Sequence, residues 1–100
     1  MNKVSIIANP KIKGLREIQR DLENIIAAYG IEIVPCCDET ELLISLGGDG
    51  TVLKGFRMLA SMKTPLLGLN FGKFGFLTIE CRDRNQVIKN VVSGRFRVSP

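Results

Sequence analysis

Asp49 stands between glycines in the stretch Leu46-Gly47-Gly48-Asp49-Gly50-Thr51. A glycine-rich turn leaves backbone N–H groups bare, and such groups at the start of a helix make a ready site for phosphate. A carboxylate in that setting repels phosphate, because like charges within a few ångströms disfavour each other. Its presence therefore points to a second task. An ionised carboxylate can accept the proton of a hydroxyl group. Phosphoryl transfer asks little more of a protein than positioned charge, a metal ion and a group that orients the nucleophile. Gly48, Gly50 and Thr51 would offer amides to phosphate, Asp49 would take the proton, and Lys54 would add a cation. In the first turn of a helix a lysine meets the positive end of the dipole and loses roughly 0.3–1 kcal/mol. A bound phosphate reverses the sign of that term.

A second glycine-rich stretch follows, Asn70-Phe71-Gly72-Lys73-Phe74-Gly75-Phe76-Leu77. Aromatic residues after a buried strand are often plain core. Gly72 and Gly75 here suggest a tight loop that turns Phe74 or Phe76 toward a flat ligand.

These stretches need a frame. Residues 4–8 form a β-branched run that ends at Asn9-Pro10, a turn signal. Leu15, Ile18, Leu22, Ile25, Ile26 and Tyr29 recur along one face of a helix, and Gly30 stands where a terminating C′ glycine belongs. Residues 31–34 form a second strand closed by Pro35. A polar connection, 36–41, leads to a third strand at 42–46, which delivers the glycine turn. The next helix spans 52–62, with Thr51 as its capping hydroxyl and Val52, Phe56, Leu59 and Ala60 as its buried stripe. A strand at 66–69 precedes the aromatic loop. Asp83, with Gln86 behind it, has the form of a capping box. The helix it opens carries Val87, Ile88, Val91 and Val92 and stops at Gly94. The stretch 95–98 alternates polar and apolar residues like a strand.

Strands alternating with helices predict an α/β fold, a Rossmann-like parallel sheet with helices on both faces. In such sheets the ligand crevice lies at the carboxyl ends of the strands, and both glycine loops leave such ends. Asp-Gly between apolar runs is also a hairpin signal. The helical stripe after Gly50, and Gly55 within it, argue against a strand there. Neither the Gly-x-x-x-x-Gly-Lys-Ser/Thr pattern nor Gly-x-Gly-x-x-Gly is present.

The 100 residues are the size of one domain, and 45% are hydrophobic, enough for a core. Fourteen basic residues against ten acidic give +4, which suits an anionic small ligand. The basic residues are too scattered for nucleic acid. Cys36, Cys37 and Cys81 are odd in number, and with no histidine in the chain they complete no zinc site. They read as reduced thiols of a cytoplasmic protein. No signal-peptide pattern and no membrane-length apolar run is present.

The chain resembles the N-terminal domain of the NAD kinase family. The resemblance rests on Leu46 through Leu53 (LGGDGTVL), on Gly68-Leu69-Asn70 and on Gly72 through Thr78 (GKFGFLT). It runs the length of the chain. The Gly-Gly-Asp-Gly core alone is shared with diacylglycerol and sphingosine kinases and 6-phosphofructokinases; the second motif narrows the match. The resemblance implies phosphorylation of the adenosine-ribose 2′-hydroxyl of NAD to NADP, with ATP or polyphosphate as donor. Asp49 falls on the proton acceptor, Gly50 on a dinucleotide contact, Lys54 on a basic position facing ligand phosphates, and Phe76 on the aromatic near the adenine. Phe74 departs from the leucine usual in the family.

The family's second, mostly β domain is also implied, with its Asn-Asp or Asn-Glu pair and most of the contacts of a homo-oligomer. These 100 residues are then expected to be the first domain of a two-domain kinase, the second lying beyond residue 100. A divalent metal, Mg²⁺, follows from phosphoryl-transfer chemistry, with no ligand nameable here. Two alternatives stay open: a lipid or sugar kinase using the same loop, and a nucleotide-binding domain inactive by itself.

Overall fold

The third and fourth strands, Leu42-Leu-Ile-Ser-Leu46 and Leu66-Leu-Gly-Leu-Asn70, are buried along their whole length. Near-continuous apolar runs of this kind belong in the middle of a parallel sheet, where both faces are covered. The computed structural model describes residues 1–59, 63–70, 79–80 and 83–93. They form β1 (Lys3–Ala8), α1 (Leu15–Ala28), β2 (Glu32–Ile33), β3 (Leu42–Leu46), α2 (Asp49–Met58), β4 (Leu66–Asn70), β5 (Ile79–Glu80) and α3 (Arg84–Val92). The five strands are all parallel, in the order β2-β1-β3-β4-β5. The expected α/β architecture is what forms.

Register assigns the two faces. Ala8 lies beside Leu46 and Leu46 beside Leu69. Val4, Leu42, Ile44, Leu46, Leu67 and Leu69 meet Leu15, Leu22 and Ile26 of α1 and Ile88 and Val91 of α3 in one cluster. On the opposite face Leu43 and Leu66 pack with Val52 and Leu59, joined by Ile7, Phe56 and Cys36. Helices thus cover both faces. At about 0.8 kcal/mol per buried CH₂, these leucines and isoleucines drive the sandwich.

The α1 boundaries follow local signals. Tyr29 is its C-cap, and Gly30 takes φ +77, where a side chain would be strained. The Gly30 N–H donates to the Ala27 carbonyl at 2.9 Å and the Ile31 N–H to the Ile26 carbonyl at 3.4 Å. That is the Schellman arrangement, with Ile31 packed in the same cluster as Ile26. Asp83 caps α3 by accepting from the Gln86 N–H at 3.2 Å. The Gln86 side chain donates to Asn90 instead, so only one arm of the capping box forms.

Two expectations are corrected. α2 begins at Asp49, with Gly48 as its N-cap and no side-chain capping bond, so Thr51 is no cap but a buried residue inside the first turn. The glycine turn is short enough for the helix to start within it. Lys54 consequently sits in the second turn, past the strongest part of the dipole. β2 and β4 differ from expectation by a residue or two at their ends, α2 ends at Met58 with Leu59 as its C-cap instead of running on to 62, and β5 is not among the expected strands. Cys36 and Cys37 are free thiols. The loop 71–78 with Phe76, residues 60–62, Cys81, the stop at Gly94 and the strand expected at 95–98 lie outside the described residues.

Candidate functional site

The strand order places β1 between β2 and β3, so the chain leaves β1 in one direction for β2 and proceeds from β3 in the other. The carboxyl ends of β1 and β3 therefore flank the topological switch point, where open α/β sheets bind ligands. From β1 comes segment 9–14; from β3 comes the glycine turn that opens α2.

One hydrogen bond and one close approach hold these two exits together, and a second hydrogen bond ties the glycine turn to β4. The Asn9 N–H donates to the Leu46 carbonyl at 3.3 Å, and the Gly47 N–H donates to the Leu69 carbonyl at 3.0 Å. Gly47 has φ +136, and a Cβ there would stand 3.0 Å from Thr51 Oγ1, 3.4 Å from Ile12 Cδ1 and 3.6 Å from Asn9 Cβ. Glycine is thus needed twice at this position, for its backbone angle and for the close approach of Thr51. On the β1 side the Asn9 side-chain oxygen accepts from the Lys11 N–H at 3.0 Å, and its carbonyl accepts from the Ile12 N–H at 3.2 Å. These bonds fold segment 9–12 back toward α2.

Between the two exits lies a cleft of about 430 Å³, within the usual range for a small-molecule site. Asn9, Pro10 and Ile12 form one wall. Gly48, Gly50, Thr51, Lys54 and Arg57 of the α2 segment form the other. Lys54 and Arg57, i and i+3 on one helix face, are solvent-exposed and pair with no carboxylate among the described residues. The cleft is thus positive on its α2 side, as an anionic ligand requires.

Of the residues singled out from sequence, Gly48, Gly50, Thr51 and Lys54 come together here. Asp49 lies between two of them as the half-buried first residue of α2 and is not itself among the cleft's lining residues. Sequence reasoning missed Asn9, Pro10, Ile12 and Arg57. The turn signal at Asn9-Pro10 marked the end of β1, but only the strand order shows that this end faces the glycine loop. For a metal, the donor set does not fit a resident site: among the described residues no three Cys, Asp or Glu side chains cluster, and the chain has no histidine. The groups whose acidity is shifted at the sheet's amino end, Lys3, Glu39 and Glu41, serve the fold and lie away from the cleft.

No helix among the described residues is long and apolar enough to cross a membrane. The family model of the ATP-NAD kinase N-terminal domain matches residues 34–96. An NAD kinase of Wolinella succinogenes is 29% identical over 98% of this chain and 40% of its own length. NAD kinase 2 of Streptomyces coelicolor is 35% identical over 85% of this chain and 30% of its own length. The chain therefore spans about two-fifths or less of the curated relatives it matches. A crystal structure of yeast NADH kinase complexed with NADH shares the fold, with a TM-score of 0.79 at 21% identity over 95% of this chain and 37% of that one. The motif, the fold and the family match agree, and the chain belongs to the family of ATP-NAD kinase N-terminal domains.

Proposed function

We propose that this domain supplies the phosphate-binding and proton-accepting half of an NAD kinase active site. The observation that carries the reading is the cleft at the switch point, walled by the glycine turn and by two cations that pair with no carboxylate among the described residues, in a chain of this family. The Gly48–Gly50 backbone and the side chains of Lys54 and Arg57 hold the ligand's phosphates. Asp49 orients the 2′-hydroxyl of the adenosine ribose and receives its proton. The 2′-oxygen bonds to the terminal phosphorus of ATP or polyphosphate as the bond from that phosphorus to its bridging oxygen breaks. The shortened donor leaves, and NAD becomes NADP.

Since no carboxylate cluster offers a resident metal site among the described residues, a divalent ion such as Mg²⁺ would arrive on the donor's phosphates. Phe76 packs against the adenine in this reading. A second, mostly β domain beyond residue 100 closes the cleft and makes the homo-oligomer contacts, in keeping with the share of its relatives that this chain spans. The protein acts in the cytoplasm. With Lys54 and Arg57 open to solvent, the domain alone turns over weakly, because water screens every charge it offers.

The test is a phosphorylation panel on the full-length protein with NAD, NADH and diacylglycerol as acceptors. Conversion of NAD to NADP is the expected result. Phosphorylation of diacylglycerol with NAD inert would overturn the reading.

A further inference from the structure

A second cleft, about 520 Å³, lies on the other side of segment 9–12, against the start of α1. The two clefts share Ala8, Asn9, Pro10 and Ile12 as a common wall. They are adjoining compartments of one crevice at the switch point. The α1-side compartment is completed by Lys13, Arg16 and Gln19, and among the described residues lining it none is acidic. Neither Lys13 nor Arg16 has a carboxylate partner among the described residues, whereas Lys3 pairs with Glu39 and Arg84 with Asp21. Two cations on one cavity without a counter-charge are satisfied by a multivalent anion, which gains charge-assisted hydrogen bonds from both. Arg16 offers a planar fork suited to phosphate, and Lys13 a point charge.

We propose that this α1-side cleft binds the polyphosphate chain of the phosphoryl donor, while the α2-side cleft takes the acceptor dinucleotide. The assignment rests on the kinase reading above. A phosphotransferase must hold two anionic substrates with their reacting atoms about 3–3.5 Å apart. Each compartment has the volume of a single small-molecule site, and a common wall is what brings their contents together. The ligand chemistry is a run of tetrahedral phosphates, from a nucleoside triphosphate or an inorganic polyphosphate.

The test is calorimetric titration of the full-length protein and its Lys13→Ala/Arg16→Ala variant with inorganic tripolyphosphate, ATP and NAD, each alone. Both substituted residues are solvent-exposed, and matching thermal melts confirm that the variant is folded. The double variant should bind tripolyphosphate and ATP at least about tenfold more weakly, the scale of losing one or two charge-assisted bonds, with NAD affinity changed less than about twofold. A parallel loss for both ligands means the cleft reads phosphates alone; a loss confined to ATP assigns it to a nucleoside triphosphate. Unchanged affinity for both, or failure of both to bind the wild type, overturns the proposal. Lys13→Arg/Arg16→Lys should retain binding. Should NAD fail to bind while phosphate binding still depends on Lys13 and Arg16, the kinase reading falls and the anion site stands.

Discussion

Gly55 of α2 crosses β4 so closely that a Cβ on it would stand 2.5 Å from Leu66 Cδ1, with Ile7 Cδ1 and Leu43 Cδ2 at 3.3 Å. α2 approaches the sheet closely at this point, between the packed Val52 and Leu59, and the glycine turn opens the same helix. In an exposed helix, alanine would be better than glycine by about 1 kcal/mol. Here the methyl enters a packed interface where Leu66 is 1% exposed, and overpacking costs about 1–3 kcal/mol. Gly55→Ala should therefore lower stability by about 1 kcal/mol, a fall in Tm of about 4–8 °C for a domain this size. Thermal unfolding followed by circular dichroism checks it; a rise in Tm would show that the helix rides higher than described.

The glycines of the turn separate by role. Gly47→Ala forces a side chain into φ +136 and against Thr51 Oγ1, and should destabilise the fold by about 1–3 kcal/mol. Gly48 has an extended backbone, and a Cβ there meets no atom of the described residues within 4 Å. Gly48→Ala should leave Tm nearly unchanged yet weaken NAD binding about tenfold, since it lines the cleft and its methyl takes up space the ligand would fill. Paired melting and titration experiments distinguish the two; equal Tm losses for both variants would contradict the distinction.

At the far end of α1's partner helix, Asp83→Ala should cost about 1 kcal/mol through loss of the cap on Gln86 N–H. Asp83→Asn keeps an accepting oxygen and should retain most of it. Chemical denaturation midpoints give the comparison, and equal midpoints for wild type and Asp83→Ala would remove the cap from the account.

How much of this was legible beforehand depended on range. The Gly30 terminus and the Asp83 cap are written within a few residues of themselves, so the sequence shows them. The strands buried on both faces are equally plain in their apolar runs. The α2 start was not, because Thr51 has the chemistry of a cap and only the geometry of the glycine turn denies it that position. Ile79 and Glu80 form a strand through pairing with Leu69 and Asn70, a fact about neighbours that two residues cannot advertise. The same holds for the site. Gly48, Gly50, Thr51 and Lys54 were found by type and spacing, whereas Asn9, Pro10 and Ile12 join them only because β1 lies next to β3.

Glu41 supplies a pH dependence at the sheet's amino end. Its carboxylate accepts from the Asn2 N–H and, at 3.2 Å, from the Lys3 N–H, and these bonds hold it below the usual carboxylate range. A carboxyl with a depressed folded value contributes stability above its unfolded value and loses it as pH falls through the folded one. Glu41→Gln should therefore be less stable than wild type near neutrality, with the gap closing in acid. Urea midpoints measured from pH 7 downward test it, and a gap independent of pH would rule the linkage out.

The central claim is that Asp49 takes the proton of the ribose hydroxyl. Asp49→Asn keeps the size of the side chain at the start of α2 and removes its basicity. Measured as steady-state NADP formation by the full-length protein, kcat should fall on the order of 10²-fold or more, with NAD affinity little changed. A variant that forms NADP at the wild-type rate would contradict the account.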